Sequence, residues 1–332
     1  MRNFLLNEFP LISIITPSYN QAQYLEKTLR SVLEQDYPNI EYIVVDGNSD
    51  DGSQEIIHRY AGRLAWSVSE PDRGQADAVN KGLARATGKY IGWLNSDDLY
   101  LPGAVRQAVD LLEANPHMGF VYGDVQAIDE HGAVTNIMHY ADWDLEDLMG
   151  FHIIGQPGVF IRKETLDRAG KLDLSFHYLL DHQLWLRLGL EAGMRYSGAQ
   201  WAAARFHASA KNVAQADAFG SEAYRLAEWI AGEPRFTDLY ARLWRKVQAG
   251  ACRMDARYLL DSGKSSAALR AYMRGLKLNP ATVLPEWHRM LYALFSPLGL
   301  SFLKNLYLKI RFWLKRPDRF SQNSSGRQDG SA

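Results

Sequence analysis

Three short apolar runs, each breaking off into a cluster of polar turn formers, constrain this chain more than anything else in it. Leu11-Ile12-Ser13-Ile14-Ile15-Thr16 stops at Pro17-Ser18-Tyr19-Asn20. Ile40-Glu41-Tyr42-Ile43-Val44-Val45 stops at Asp46-Gly47-Asn48-Ser49-Asp50-Asp51-Gly52-Ser53, and Tyr90-Ile91-Gly92-Trp93-Leu94 stops at Asn95-Ser96-Asp97-Asp98. Apolar, β-branched runs of this length read as buried strands. Residues 24–34 and 53–60, which lie between them, carry apolar side chains at helical intervals, with Ser53 placed as an N-cap. The alternation predicts an α/β fold with a mixed, mainly parallel sheet flanked by helices. In such sheets ligands gather beyond the carboxyl ends of the strands, so the three polar clusters are expected to line one cleft.

The third run ends in two adjacent carboxylates. Side chains alternate across a strand, so Asp97 and Asp98 should diverge, one toward a ligand and one toward a cation shared with it. That suits a divalent ion on a diphosphate, because hard cations prefer carboxylate and phosphate oxygens. The competing reading is a helix start at Leu99 capped by Asp98, with which Pro102 is compatible.

Taken together, Thr16-Pro17-Ser18-Tyr19-Asn20, the Asp46 to Ser53 loop, Glu70-Pro71-Asp72-Arg73-Gly74-Gln75 and Asn95-Ser96-Asp97-Asp98 resemble, in that order, the inverting family 2 glycosyltransferases. The resemblance covers roughly residues 10–207. It implies the GT-A fold, a Rossmann-like sheet. It also implies that Ser18, Tyr19, Asp46 and Asp77 help hold a nucleotide, while Asp97 and Asp98 form a variant of the Asp-X-Asp motif that meets ribose, diphosphate and metal.

Several of these positions have their own chemical logic. A carboxylate at a strand end, such as Asp46, can accept the N–H of a uracil or thymine ring; the alternative is an Asx-turn opening the Gly47-Asn48 loop. Asp50 and Asp51 read as capping and loop-solvating groups. Gly74 would let backbone approach a phosphate that Arg73 neutralises, or else Arg73 is an exposed loop charge. Residues 76–86 read as a helix containing Asn80 whose N-terminal dipole favours an anion. Pro17, Asn20, Asn80 and Ser96 complete the expected donor-binding set.

Inverting transfer needs one carboxylate to take the proton of the attacking hydroxyl. Tyr178-Leu179-Leu180-Asp181-His182-Gln183-Leu184-Trp185 matches the place where relatives carry that base, with Leu180 standing where Glu is common; Asp181 is the expected base, and it could also cap the helix that follows. Gln156, in Phe151-His152-Ile153-Ile154-Gly155-Gln156-Pro157-Gly158, and Trp185 are acceptor-site candidates, since amides bond hydroxyls and aromatic faces stack on sugars. Trp185 fits a core position equally well. His207 sits where some relatives bring an imidazole to the metal or diphosphate, giving a ligand for Mn²⁺ beside Asp98, or is a surface histidine. Lys211 is a further phosphate-side charge or a solvated lysine.

With 332 residues, 47% of them apolar, the chain can bury one substantial core and append a smaller unit. The net charge of -1 gives no pull toward nucleic acid, and the single Cys252 excludes an intrachain disulfide and suits the cytoplasm. The first eight residues are too short in apolar length for a signal peptide. We therefore expect a transferase domain over residues 1–211, a helical extension over 212–320 and a disordered polar tail over 321–332. Within the extension, a turn at Asp261-Ser262-Gly263-Lys264 suggests one tetratricopeptide-like hairpin. Residues 291–314 mix aromatic and basic side chains, as a helix lying on an anionic membrane does, or one packed on the domain.

These readings converge on a metal-dependent (Mg²⁺ or Mn²⁺) transferase. It would move a sugar from a nucleoside-diphosphate donor, UDP- or dTDP-linked, to a hydroxyl of a glycan or lipid-linked acceptor at the inner face of the membrane. The rivals are a nucleotide-sugar-forming nucleotidyltransferase and an inactive scaffold protein. The first normally has a Gly-rich basic loop where this chain has Pro17-Ser18-Tyr19-Asn20; intact Asp97, Asp98 and Asp181 argue against the second.

Overall fold

The computed structural model describes residues 9–207 and 216–296, with side chains described from residue 218 in the second stretch. The expected strands form where the apolar runs lie: β1 (Ile12–Ser18), β2 (Ile40–Asp46) and β4 (Tyr90–Trp93), with the short β3 (Trp66–Ser69) after β2. The helices between them are α1 (Ala22–Leu33), α2 (Ser53–Tyr60) and α3 (Gln75–Leu83). Ser53 is the first helical residue of α2 and not its cap. That position is Gly52 at φ 95, and the Ser53 hydroxyl donates to Asp51 Oδ1 at 2.6 Å.

The second half adds β5 (Leu99–Tyr100), α4 (Ala104–Ala114), β6 (Met118–Ile128), β7 (Val134–Met138), α5 (Leu145–Met149), β8 (Val159–Arg162), α6 (Lys163–Ala169), α7 (Leu180–Glu191) and β9 (Gly193–Arg205). Residues 99–100 therefore pair as a strand, Leu99 with Ala203 and Tyr100 with Ala202, and Asp98 caps no helix. The nine-stranded sheet runs β3-β2-β1-β4-β8-β6-β9-β5, with β7 on β6. β3, β2, β1 and β4 are parallel, while β8 is antiparallel to both β4 and β6. The chain builds outward from β1 on one side and then returns to pair β4 on its other side. A crevice opens at such a switch point, beyond the carboxyl ends of β1 and β4.

Alternation along the strands divides the core. Ile12 and Ile14 of β1, with Val44 of β2, meet Leu25, Leu29 and Val32 of α1 and Val105, Ala108 and Leu112 of α4. Ile15, Ile43 and Val45 face the opposite side, toward Val79 of α3 and Leu184 and Trp185 of α7. α3 lies close to β1: a Cβ on Gly82 would fall 2.5 Å from Ile15 Cγ2, so glycine is required for that approach.

After residue 216 the chain is helical: α8 (Ala216–Gly232), α9 (Thr237–Asp261), α10 (Ser265–Leu278), α11 (Pro280–Val283) and α12 (Trp287–Phe295). The turn between α9 and α10 falls at residues 262–264, with Gly263 left-handed at φ 78. Leu226, Ala227 and Ile230 of α8 and Val247, Ala251 and Met254 of α9 join the same buried cluster as Trp185. Arg253 of α9 adds polar ties, donating to the carbonyls of Gly150 and Phe151 at 3.2 and 3.0 Å. No helix among the described residues is long and apolar enough to cross a membrane. Lys211, the expected boundary at residues 211–212, the first eight residues, the segment from 297 and the polar tail lie outside the described residues.

Candidate active site

The crevice at the switch point opens into a cleft of about 1910 Å³, well above the 300–1,000 Å³ usual for one small ligand. Pro17, Ser18 and Tyr19 line it from the end of β1, Ser96, Asp97 and Asp98 from the end of β4, Gly74 and Gln75 from the start of α3, and Gln156 and Asp181 from the other wall. Tyr19 is 63% exposed, an aromatic face over the cleft, while the Ser18 hydroxyl is buried without a partner among the described residues. Asn20, at φ 51, braces the neighbouring loop: its N–H donates to Ser49 Oγ at 2.8 Å and its Oδ1 accepts from the Asp50 N–H at 3.1 Å.

Asp46 departs from the nucleobase expectation. Its side chain is 0% exposed and both oxygens are engaged from within, by the Ser49 N–H (2.9 Å), the Ser49 hydroxyl (2.5 Å) and the Ser69 hydroxyl (2.6 Å). The side chain thus ties its own loop three residues on, closing the Gly47-Asn48 turn in place of a nucleobase. The carboxylate that does line the cleft there is Asp72, whose Oδ2 would lie 2.7 Å from a Cβ on Gly47. Sequence reasoning passed over it, although it sits within the Glu70 to Gln75 motif.

Arg73 and Asp77 are also reassigned. Exposed Arg73 donates to Asp77 Oδ1 at 3.0 Å, and that bond holds the Asp77 carboxyl below its usual range. The pair staples the turn at Gly74 (φ 103), which starts α3 at the cleft, and neither side chain lines it. Asn80 is likewise structural, its amide both donating to the Leu172 carbonyl and accepting the Leu172 N–H, at 2.9 Å each.

The Asp97–Asp98 loop is held rigidly. The Thr28 hydroxyl bonds the carbonyls of Ser96 and Asp98 at 2.9 and 2.8 Å, and Gln75 donates to Asn95 Oδ1 at 2.6 Å. β9 delivers Arg205 and His207 to this loop: the Arg205 N–H donates to Asp98 Oδ1 at 2.9 Å, and His207 Nε2 lies 3.1 Å from Asp97 Oδ2. The imidazole thus reaches the Asp97–Asp98 loop through Asp97. Burial, and then the charge of Asp97, push the Asp98 carboxyl well above its usual range.

Among the described residues no three His, Cys, Asp or Glu side chains are grouped to cage a metal ion. Mg²⁺ sites that work on phosphates do not need such a cage; they take one or two carboxylates and complete the shell from substrate phosphates and water. Two adjacent carboxylates on a cleft, one driven toward its neutral form, are a donor set of that kind, and Asp97 and Asp98 fit it.

Across the cleft, Asp181 stands in the first turn of α7, accepting the His182 N–H on Oδ1 at 2.7 Å. It keeps some water contact, yet protein surrounds it at the cleft bottom, and this desolvation raises its carboxyl to about 6. Glu222 of α8 fixes the approach to Asp181 by accepting the N–H groups of His177, Tyr178 and Leu179. Gln156 donates to the Trp93 carbonyl at 2.5 Å, and its Oε1 is buried without a partner among the described residues. Trp185 is not at the acceptor side: it is 1% exposed, stacked on Phe120 at 5.9 Å inside the core. Sequence reasoning also missed His139, which lines the cleft with Nδ1 against the buried Asp124; nothing local flags a pair made by β6 and the residue that follows β7.

The sequence profile described as Glycosyl transferase family 2 matches residues 13–164. An uncharacterized glycosyltransferase of Mycobacterium tuberculosis is 30% identical over 184 residues, 54% of this chain and 70% of that protein. TuaG of Bacillus subtilis, named as a putative teichuronic acid biosynthesis glycosyltransferase, is 39% identical over 111 residues, 32% of this chain and 44% of TuaG. Against several Rickettsia glycosyltransferases the chain spans only about a fifth of the relative's length, 18% in Rickettsia bellii. Among solved structures, Staphylococcus aureus TarS residues 1–349 with UDP-GlcNAc superposes with a TM-score of 0.57 at 15% identity, covering 86% of this chain and 92% of that one. The mannosyltransferase PcManGT of Pyrobaculum calidifontis, solved with GDP-Man and Mn²⁺, gives 0.55 at 21% identity, covering 93% and 88%. At these identities the two structures establish a shared fold.

Proposed function

This chain belongs to the family 2 glycosyltransferases, and on that premise we propose that it moves one sugar, with inversion, from a nucleoside-diphosphate donor to a hydroxyl of a glycan or lipid-linked acceptor in surface polysaccharide synthesis. The single observation that carries the reading is that Asp98 and Asp181, far apart in sequence, line one cleft as carboxyls both raised by burial. Paired, environment-tuned carboxyls are the usual mark of assigned acid–base and charge-binding roles.

The nucleotide is assigned to the wall made by the ends of β1 and β4, with Tyr19 and Asp72 against the base and Ser18 and Ser96 within reach of ribose and phosphates. A UDP- or dTDP-linked donor remains our assignment; of the two structures described, one holds a UDP-sugar and the other a GDP-sugar. The start of α3 at Gly74 and Gln75 turns its positive dipole end toward the diphosphate, the Gly74 N–H itself being held by Asp72 Oδ1 at 2.7 Å. Asp97 and Asp98 would hold Mg²⁺ or Mn²⁺, which supplies charge stabilisation of the departing diphosphate. Asp181, ionised above about pH 6, takes the proton of the acceptor hydroxyl as that oxygen attacks the anomeric carbon from the face opposite the diphosphate. Gln156 Oε1, lacking a protein partner among the described residues, is placed to accept a bond from a second acceptor hydroxyl.

Contact with an anionic membrane is the second part of the proposal. Trp287, Leu291 and Leu294 of α12 share one exposed apolar face, and Lys304, Lys309, Arg311, Lys315 and Arg316 follow in the sequence.

A donor screen with Mn²⁺, reading nucleoside diphosphate release and the anomeric configuration of the product, tests the enzymatic reading. Asp98→Asn and Asp181→Asn should each cost two or more orders of magnitude in rate, by roughly the 10²–10⁴-fold that general-base removal carries. Activity surviving both changes, or a retained configuration, refutes it.

A further inference from the structure

The wall of the cleft contributed by the C-terminal helices carries a charge excess. Arg253 and Arg257 of α9, Glu286 before α12, Arg289 of α12 and Asp261 all line it. Glu286 is paired with Arg257, accepts the Tyr272 hydroxyl at 2.7 Å and lies 4.0 Å from Arg253 Nε; Arg289 Nη1 lies 3.1 Å from Asp261 Oδ1. Three guanidiniums against two carboxylates leave a local charge of +1. The two members of the central pair are not equally hidden: the Arg257 side chain is 37% exposed and that of Glu286 is 9% exposed. The carboxylate thus lies behind and the guanidinium fronts the cleft, with its Nε enclosed and without a partner among the described residues.

The local field is positive enough to show in the carboxylate it surrounds. Burial alone would raise Glu286, yet Arg257, Arg253 and Arg289 hold it at about 2. Tyr258 links this wall to the catalytic carboxylate. Burial raises its hydroxyl to about 12, Arg257 and Arg289 oppose the rise, and Asp181 adds to it, so one phenol feels both groups. Arg253 is committed to the fold, since its Nη atoms donate to the carbonyls of Thr282, Gly150 and Phe151. Arg257 makes no such backbone bonds among the described residues; its Nη2 is held by Glu286.

We propose that Arg257, backed by Arg289, forms an acceptor subsite for an acidic group, the phosphate or carboxylate of the glycan being extended. The inference rests on reading the cleft as a transferase site. With Nε enclosed and Nη2 held by Glu286, the exposed edge of the Arg257 guanidinium is what remains to meet a carboxylate or phosphate through a charge-assisted bond, which a neutral sugar cannot supply. The strand-end wall already accommodates the donor; this wall, beyond Asp181, would orient the acceptor by its charge.

The test is a binding titration of the full chain, without donor, by three probes: glycerol 3-phosphate, methyl glucuronide and methyl glucoside. At least one acidic probe should bind tenfold or more tightly than the neutral one, and which acid wins assigns phosphate or carboxylate. Arg257→Gln should abolish the preference, Arg257→Lys should keep part of it, and UDP binding should be unchanged in both. Equal binding of acidic and neutral probes by the wild type, or full acidic-probe binding by Arg257→Gln, overturns the subsite. Should Arg257→Gln fail to fold, Arg289→Gln is titrated in its place; a weakened acidic preference in that variant supports the subsite, and an undiminished one overturns it. A failed donor screen with intact acidic binding would sink the transferase reading and the acceptor role with it, leaving an anion site at Arg257.

Discussion

The charge that makes Asp181 a base should also weaken the fold, and replacing it tests both statements at once. Its carboxyl titrates at about 6 in the folded chain against an ordinary value of 3.8. Below about pH 3.8 both states hold the proton and there is no penalty. Between 3.8 and 6 the unfolded chain releases its proton first, so stability falls as pH rises, and above about 6 the whole cost stands. At 1.36 kcal/mol per pKa unit that cost is on the order of 3 kcal/mol at pH 7–8, about half of it at pH 5 and little at pH 4. Asp181→Asn removes the charge and keeps Oδ1 as acceptor for the His182 N–H. The variant should therefore melt roughly 4 °C above the wild type at pH 8, with the gap closing toward pH 4. Its transfer rate should fall by roughly 10²–10⁴-fold, while wild-type kcat/KM rises about tenfold per pH unit up to about 6 and then levels. Melting curves at four pH values and a pH–rate profile suffice. A variant that is less stable, or whose gain does not change with pH, would refute the desolvated-base reasoning.

Glu222→Ala removes the acceptor of three N–H groups leading into α7 and should cost at least about 3 kcal/mol, read as a lower midpoint in denaturant. Glu222→Gln should move the pH–rate midpoint of Asp181 downward, because the Glu222 charge helps raise it. Trp185→Ala should cost about 3–5 kcal/mol of stability as a core truncation, and a selective rise in acceptor KM at unchanged stability would restore its acceptor role. On liposomes containing anionic lipid, Trp287→Ser with Leu291→Ser should reduce flotation of the full chain; equal flotation would remove the α12 face from membrane contact.

Local pattern was enough for the strands and for much of the cleft. The runs at 11–16, 40–45 and 90–94 had to be strands because no other element buries β-branched residues so densely, and polar residues at their ends had to meet at the switch point. The strand-end position of Asp97 and Asp98 could thus be read from the pattern, whereas Ser18, Tyr19, Gln156 and Asp181 were singled out by the family resemblance; all six line the cleft. Individual side-chain assignments failed where a neighbour distant in sequence decided them. Ser69 and Ser49 enclose Asp46, Phe120 stacks on Trp185, and Leu172 holds both ends of the Asn80 amide.

The helical region shows the same division. Its 3.6-residue periodicity and the turn at Gly263 are written in the chain, because helix and turn are settled by residues within four of one another. That α8 and α9 would share one buried cluster with Trp185, and that Arg257 would front the cleft holding Asp181, depends on residues far apart along the chain, which no local spacing encodes. Secondary structure and the position of the crevice came from the order of the amino acids; which carboxylates and guanidiniums face that crevice was decided by packing, since burial and partner, not residue type, fix where a charged side chain can rest.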